Sequence, residues 1–207
     1  MHPNRAFAWT DRGEMLDFVA DIAFATLFVA GSEGGFVLHA PVVVQDADHI
    51  RFHIARTNRA AAAMDGAPAI LSALGPDTYI SPDWYGTPDQ VPTWNYLAVE
   101  CEGRLRRMDE AELVAQLDAL SAAHEARLAP KPPWTRAKMG PGRFQAMVRA
   151  IVGYELAIEA IRGTRKLGQH KKPAEREGAV AGLAAAGRPD MAELMRSASP
   201  AKAKAAS

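Results

Sequence analysis

The apolar positions begin with Met15, Leu16, Val19 and Ile22, which mark the buried face of a short helix behind Asp11 and Glu14 in capping-box positions. The period then changes. Residues 24–30, 36–44 and 49–55 are β-favouring runs separated by turn sequences at 31–35 (GSEGG) and 45–48 (QDAD), which predicts three strands in an antiparallel meander. Thr57-Asn58 reads as the cap of a short helix over 59–65, stopped by Gly66. Two further strands are predicted at 69–74 and 97–105. Asp109 and Glu112 open the longest helix, to about Leu128, with Leu113, Leu117, Leu120, His124 and Leu128 on one stripe. That stripe turns His124 inward as a hydrogen-bonded core histidine. Phe144, Met147, Val148 and Ile151 mark another helix ended by Gly153, and 154–161 alternates as a sixth strand. Small helices follow at 174–186, behind Pro173, and 189–196, and 197–207 reads as a disordered tail.

One stretch resists this scheme. Residues 79–96, YISPDWYGTPDQVPTWNY, carry five aromatics among Pro82, Pro88 and Pro92. The prolines exclude a regular helix and disfavour a central strand, so a long irregular connection is expected, of the kind that forms lids and binding loops. Two readings stay open: a stiff aromatic wall for a planar ligand or a partner subunit, or a satellite core under a loop.

Six short, mainly antiparallel strands in one domain give an α+β fold, a small barrel closed on itself with helices against it, not a doubly wound sheet. Of the 207 residues 48% are apolar, enough for one sizeable core. Lys+Arg and Asp+Glu are both 24, which weakens the case for non-specific DNA or acidic-membrane binding, since that needs a positive field. Cys101 is alone, which fits a reducing compartment and a small buried thiol. The first residues lack a signal-peptide pattern, and the longest apolar run, 22–30, is too short to span a bilayer. A soluble cytoplasmic protein is the expectation.

Chemistry-bearing residues are few. In 53–58, HIARTN, a guanidinium, a hydroxyl and an amide follow a strand where a helix is predicted to begin, an arrangement suited to phosphate, with plain capping as the alternative. A second basic locus holds Arg162, Arg165, Lys166, Gln169, His170, Lys171 and Lys172: a solvated face, the completion of an anion site, or a nucleic-acid contact. His39, His49 and His53 do not make a metal site, since His49 and His53 lie about 13 Å apart at strand rise. No glycine-rich phosphate loop, GxSxG or Ser/His/Asp set is present, so no catalytic residue is named.

Several segments in order carry a resemblance: LHAP at 38–41, HIARTN at 53–58, YISPDWY at 79–85, VPTWNY at 91–96, His124-Glu125, Pro133-Trp134, AIVG at 150–153 and KLGQ at 166–169. Together they resemble the PaiB family, FMN-binding negative transcriptional regulators. The resemblance implies a split β-barrel like that of pyridoxamine-phosphate oxidases, over residues 1–185, followed by a short helix and tail at 186–207. It also implies a homodimer holding FMN between subunits. Two places depart from the family pattern: KLGQH stands for KLSQN at 166–170, and Arg59 stands where proline is usual. By this analogy Arg56, Thr57, Asn58, Lys166 and Gln169 serve the phosphate. His39, Pro41, Thr93, Trp94 and Asn95 shape the ring slot, and His53 is a further cofactor contact. Trp84, Tyr85 and Trp94 have a competing role as dimer anchors. Three functions follow: a flavin-binding repressor, with any DNA contact from 162–172; a flavin reductase or other FMN-dependent oxidoreductase; or a non-catalytic dimer binding another planar cofactor such as haem through His39 or His53.

Overall fold

The computed structural model describes residues 2–31 and 34–198; the tip of the predicted 31–35 turn and most of the predicted tail lie outside them. Seven strands form one antiparallel sheet: β1 (Ala8–Trp9), β2 (Phe24–Gly31), β3 (Gly34–Val44), β4 (His49–Ala55), β5 (Pro68–Ile80), β6 (Thr93–Arg107) and β7 (Ile151–Lys166). Their order is β1-β7-β4-β3-β2-β5-β6, and a further β6–β7 pairing closes the six long strands into a ring, the split-barrel fold. Among the described residues five α-helices accompany them: α1 (Arg12–Ile22), α2 (Glu110–Ala126), α3 (Arg143–Val148), α4 (Pro173–Ala185) and α5 (Pro189–Ser197). The chain divides into two compact units, Arg12–Ala73 with Glu100–Ile161, and Met1–Asp11 with Leu74–Val99 and Arg162–Ser207.

In the first of these, alternation sends Ala25, Leu27 and Val29 of β2, Leu38, Ala40 and Val42 of β3, and Ile50, Phe52 and Ile54 of β4 into one core. Cys101 is fully buried there, and burial pushes its thiol up to about 12. Where β6 meets β7, a Cβ on Gly103 would fall 1.8 Å from the Ala157 carbonyl oxygen, so only glycine permits this approach. The outer face of the same sheet is unevenly covered. Helix α2 opens with the expected capping box: Asp109 Oδ1 accepts from the Glu112 amide at 2.8 Å, and Glu112 Oε2 accepts from the Asp109 amide at 2.9 Å. It then packs on β3 and β4 and lays Leu113 over Gly153 of β7 and Gln116 beside His53 of β4, with Leu113 in a cluster with Met108, Val148, Leu117, Phe144 and Ile151.

In the other unit, Phe7, Trp9, Ile80, Tyr85 and Leu97 join Leu183, Met191 and Met195 of α4 and α5 in a second core.

Four expectations are corrected. Residues 59–65 form no α-helix but one 3-10 turn, Ala61–Ala63, held by Ala61 N→Asn58 O and Ala63 N→Ala60 O. A seven-residue alanine-rich run cannot offset helix nucleation. His124 is exposed rather than inward, because only the first half of α2 lies on the sheet. Gly153 does not end α3; it sits inside β7, where Met108 and Leu113 occupy the space of a side chain. The irregular stretch is shorter than predicted: Tyr79-Ile80 complete β5 and Thr93 to Tyr96 begin β6, leaving 81–92 with a 3-10 turn at Pro82–Tyr85.

Candidate functional site

The uncovered part of the outer sheet face belongs to β5, β2 and β3. Ile70, Phe28 and Val37 are direct cross-strand partners in one row and are 38%, 46% and 54% exposed. The next row places Ser72, Thr26 and His39 side by side, and the one after pairs Phe24 with Pro41. Thr26 Oγ1 and His39 Nδ1 are 3.1 Å apart, and the His39 ring stacks on Phe24 at 6.5 Å and 22°. The result is a flat apolar floor bearing a hydroxyl and an imidazole. Apolar patches of this kind on soluble proteins mark binding surfaces.

At the end of β4, Arg56 donates through Nε to Arg149 O (2.9 Å) and through Nη2 to Ile151 O (2.8 Å). Two of its donors therefore tie the chain, and the residue is exposed. Asn58 is used locally, its Oδ1 accepting from the Ala60 amide at 2.9 Å. Thr57 is exposed, and the Arg59 guanidinium lies 5.4 Å from the centre of the Phe36 ring. The cationic turn is thus present without the helix N-terminus expected to accompany it. His53 takes a different position from His39: it lies under α2, its Nδ1 3.2 Å from Gln116 Oε1, and burial holds its pKa below the ordinary histidine value.

The remaining predicted residues belong to the other unit. Lys166 Nζ donates to Thr93 Oγ1 at 2.6 Å, and partial burial lowers its pKa. Trp94 is 54% exposed with its ring edge-on to Tyr79. Asn95 is buried, Nδ2 3.2 Å from Met195 Sδ. Gln169 staples its own turn, accepting from the Leu167 amide and donating to Arg165 O. The basic segment is partly consumed by packing: Arg165 covers Trp9 at 3.9 Å and Lys171 covers Tyr85 at 4.4 Å. Tyr85 is buried against α4, which supports the satellite-core reading for that part of the aromatic stretch, whereas Tyr79 and Trp94 stay open.

Residue-type reasoning overlooked Phe24, Thr26, Phe28, Val37 and Ile70. The available signal was β2 itself, FATLFVA, apolar at odd and even positions alike, which indicates a strand with something against both faces.

Comparison with known proteins agrees with the fold. Residues 1–160 match the family described as "Putative FMN-binding domain". The chain is 27% identical over 202 residues to protease synthase and sporulation protein PAI 2 of Bacillus subtilis, covering 94% of this chain and 96% of that one. A FAD- and haem-binding protein from Mycobacterium smegmatis has the same fold at 19% identity and TM-score 0.59, over 84% of this chain and 80% of its own. A flavocytochrome from Azotobacter vinelandii gives 0.54 at 19% identity, over 79% and 72%. With a family match over more than three-quarters of its length and a relative similar from end to end, the chain belongs to the PaiB family of FMN-binding split-barrel proteins.

Proposed function

We propose that the protein is an FMN-binding homodimer acting as a flavin-dependent negative regulator of transcription. The observation that carries the dimer and the flavin is the bare row Ile70–Phe28–Val37, whose exposed apolar side chains need a cover in water. The residues fit FMN. A flat ring system takes an apolar floor with a few directed polar groups, here Phe24, Phe28, Thr26 and His39. A phosphate takes charge-assisted donors, here the exposed Arg56 guanidinium, the Thr57 hydroxyl and Arg59. Bound FMN would supply electron-transfer chemistry; the protein's part is to hold and shield it. The regulatory role is supported by the end-to-end similarity to a relative named for protease synthesis and sporulation.

Phe28→Asp places a charge at the centre of the row. The expected result is a shift from dimer to monomer mass in light scattering, together with loss of the flavin absorbance band. A monomeric wild type, or one that stays colourless after incubation with FMN, overturns the proposal. Promoter DNA should be retained with a steep salt dependence, and steady NAD(P)H consumption by the loaded protein would favour the oxidoreductase reading.

A further inference from the structure

Beside the covered part of the outer sheet face lies a half-open cavity, two of whose walls, Trp134 and Met147, are 39% and 60% exposed. It measures about 270 Å³ and lies beneath α2 and α3, with His53 and Leu117 among its lining residues and Trp134, Met139, Phe144 and Met147 as further walls. Apart from His53, the polar groups around it are Ser121 and the Asp118–Arg136 pair. Arg136 Nη2 reaches Asp118 Oδ2 at 3.2 Å, and the guanidinium lies 5.1 Å from the centre of the Phe144 ring. One arginine thus fastens the segment before α3 to both α2 and α3. An apolar cavity of ~150 Å³ holds benzene, so this one has room for two fused rings, and its two thioethers can adapt to the guest.

The polar groups of the cavity give it a direction. Gln116 is 1% exposed, and its Oε1 faces His53 Nδ1. An amide oxygen only accepts, so Nδ1 carries the proton and Nε2 of the neutral ring is an acceptor. Gln116 Nε2 is buried and has no hydrogen-bond partner among the described residues. Buried polar groups are normally satisfied, and a leucine at this place would pack α2 on the sheet without that cost. Gln116 does not line the cavity; its part is to hold the His53 ring, which does, with Nε2 as the free acceptor.

We infer that this cavity is a second ligand site, distinct from the bare sheet face, which takes a neutral one- or two-ring aromatic molecule bearing one hydrogen-bond donor, of the indole or phenol class. The aromatic and thioether walls hold the rings, and His53 Nε2 accepts from the donor. A site of this size binds such a molecule with a Kd on the order of 0.1–1 mM.

The test titrates FMN-loaded protein with indole and with 1-methylindole, which keeps the rings and removes the N–H, by saturation-transfer NMR. Indole should bind, and 1-methylindole should bind at least about tenfold more weakly, the effect of one unpaired buried acceptor. Ser121→Trp, which fills the cavity from α2, should weaken indole at least about tenfold while the flavin band and circular dichroism stay unchanged. No indole binding, equal binding of the two probes, or indole binding unaffected by Ser121→Trp overturns the inference. The comparison of the two probes needs no variant, and the flavin band reports the sheet-face site separately.

Discussion

Gly182 of α4 is the clearest place to test the packing of the aromatic stretch. A Cβ built on it would fall 2.4 Å from Cδ2, 2.5 Å from Cγ and 2.7 Å from Cε2 of Trp84. Ordinary carbon contacts are about 3.5–4.0 Å, so the indole would have to move by about 1 Å. It has no room to move away cheaply, because the Trp84 carbonyl is itself seated on Gly178, where a Cβ would lie 2.1 Å from the oxygen. Two effects then oppose each other in Gly182→Ala. Alanine gains about 1 kcal/mol of helix propensity over glycine, and overpacking costs about 1–3 kcal/mol, here toward the upper end because the obstacle is a rigid ring. The net expectation is a loss of about 1–2 kcal/mol. In a Trp84→Ala background the obstacle is gone and the same substitution should stabilise by about 1 kcal/mol. The sign reversal corresponds to a coupling of about 2–3 kcal/mol, the upper range for residues in direct contact. Urea unfolding of the four proteins by circular dichroism measures it, with m constant across the set. A stabilising Gly182→Ala in the wild-type background, or the same sign in both, refutes the reasoning.

Glu155→Gln should cost about 2 kcal/mol, because the buried carboxylate takes Arg51 Nε and Arg106 Nη2 at 2.7 Å each and the amide leaves two guanidiniums underpaired; urea midpoints check it. Glu112, hydrogen-bonded by Arg106, is held at about 2 against an ordinary 4.5. Its folded-state value is depressed, so its contribution is present above pH 4.5 and lost as pH falls toward 2. Glu112→Gln should flatten that part of a stability-against-pH curve. Cys101, buried and with its thiol pushed up to about 12, should resist thiol reagents at pH 8 until the protein is unfolded in urea.

The strands were legible where β-favouring runs stood between clear turn sequences: 49–55 coincides with β4, and 24–30 falls one residue short of β2. They were cut short where a proline or glycine intervened. The strand predicted at 69–74 ends before Gly75-Pro76, yet β5 runs through that dipeptide to Ile80. Pro92 suggested a loop, yet Trp94 and Tyr96 lie in β6. In both places strand pairing overrides local preference. The capping box of α2 was legible because it is local, and the exposure of His124 was not, because it depends on how far the sheet extends beneath the helix. For the candidate site, His39 and Pro41 were named through motif order, and their neighbours Phe24, Thr26 and Phe28 were not. The former lie in a recognisable segment, whereas the latter become a site only through strand register.

That register explains why one sheet face carries two kinds of surface. Along β4 and β7 the outward residues are Arg51, His53 and Glu155, and α2 lies over them; along β2, β3 and β5 they are Phe24, Phe28, Val37 and Ile70, and no described element of the same unit covers them. Stability alone favours the opposite allocation, with the apolar residues under the helix and the charges in water, since a buried ion network seldom outdoes well-packed hydrophobic residues of similar volume. The arrangement becomes reasonable if the bare apolar half is completed by a partner and a flat cofactor, and if the polar groups beneath α2 serve a guest of their own. The placement of polar and apolar residues on a single face thus points to two sites, and the two can be tested apart because no side chain of the Ile70–Phe28–Val37 row lines the cavity under α2.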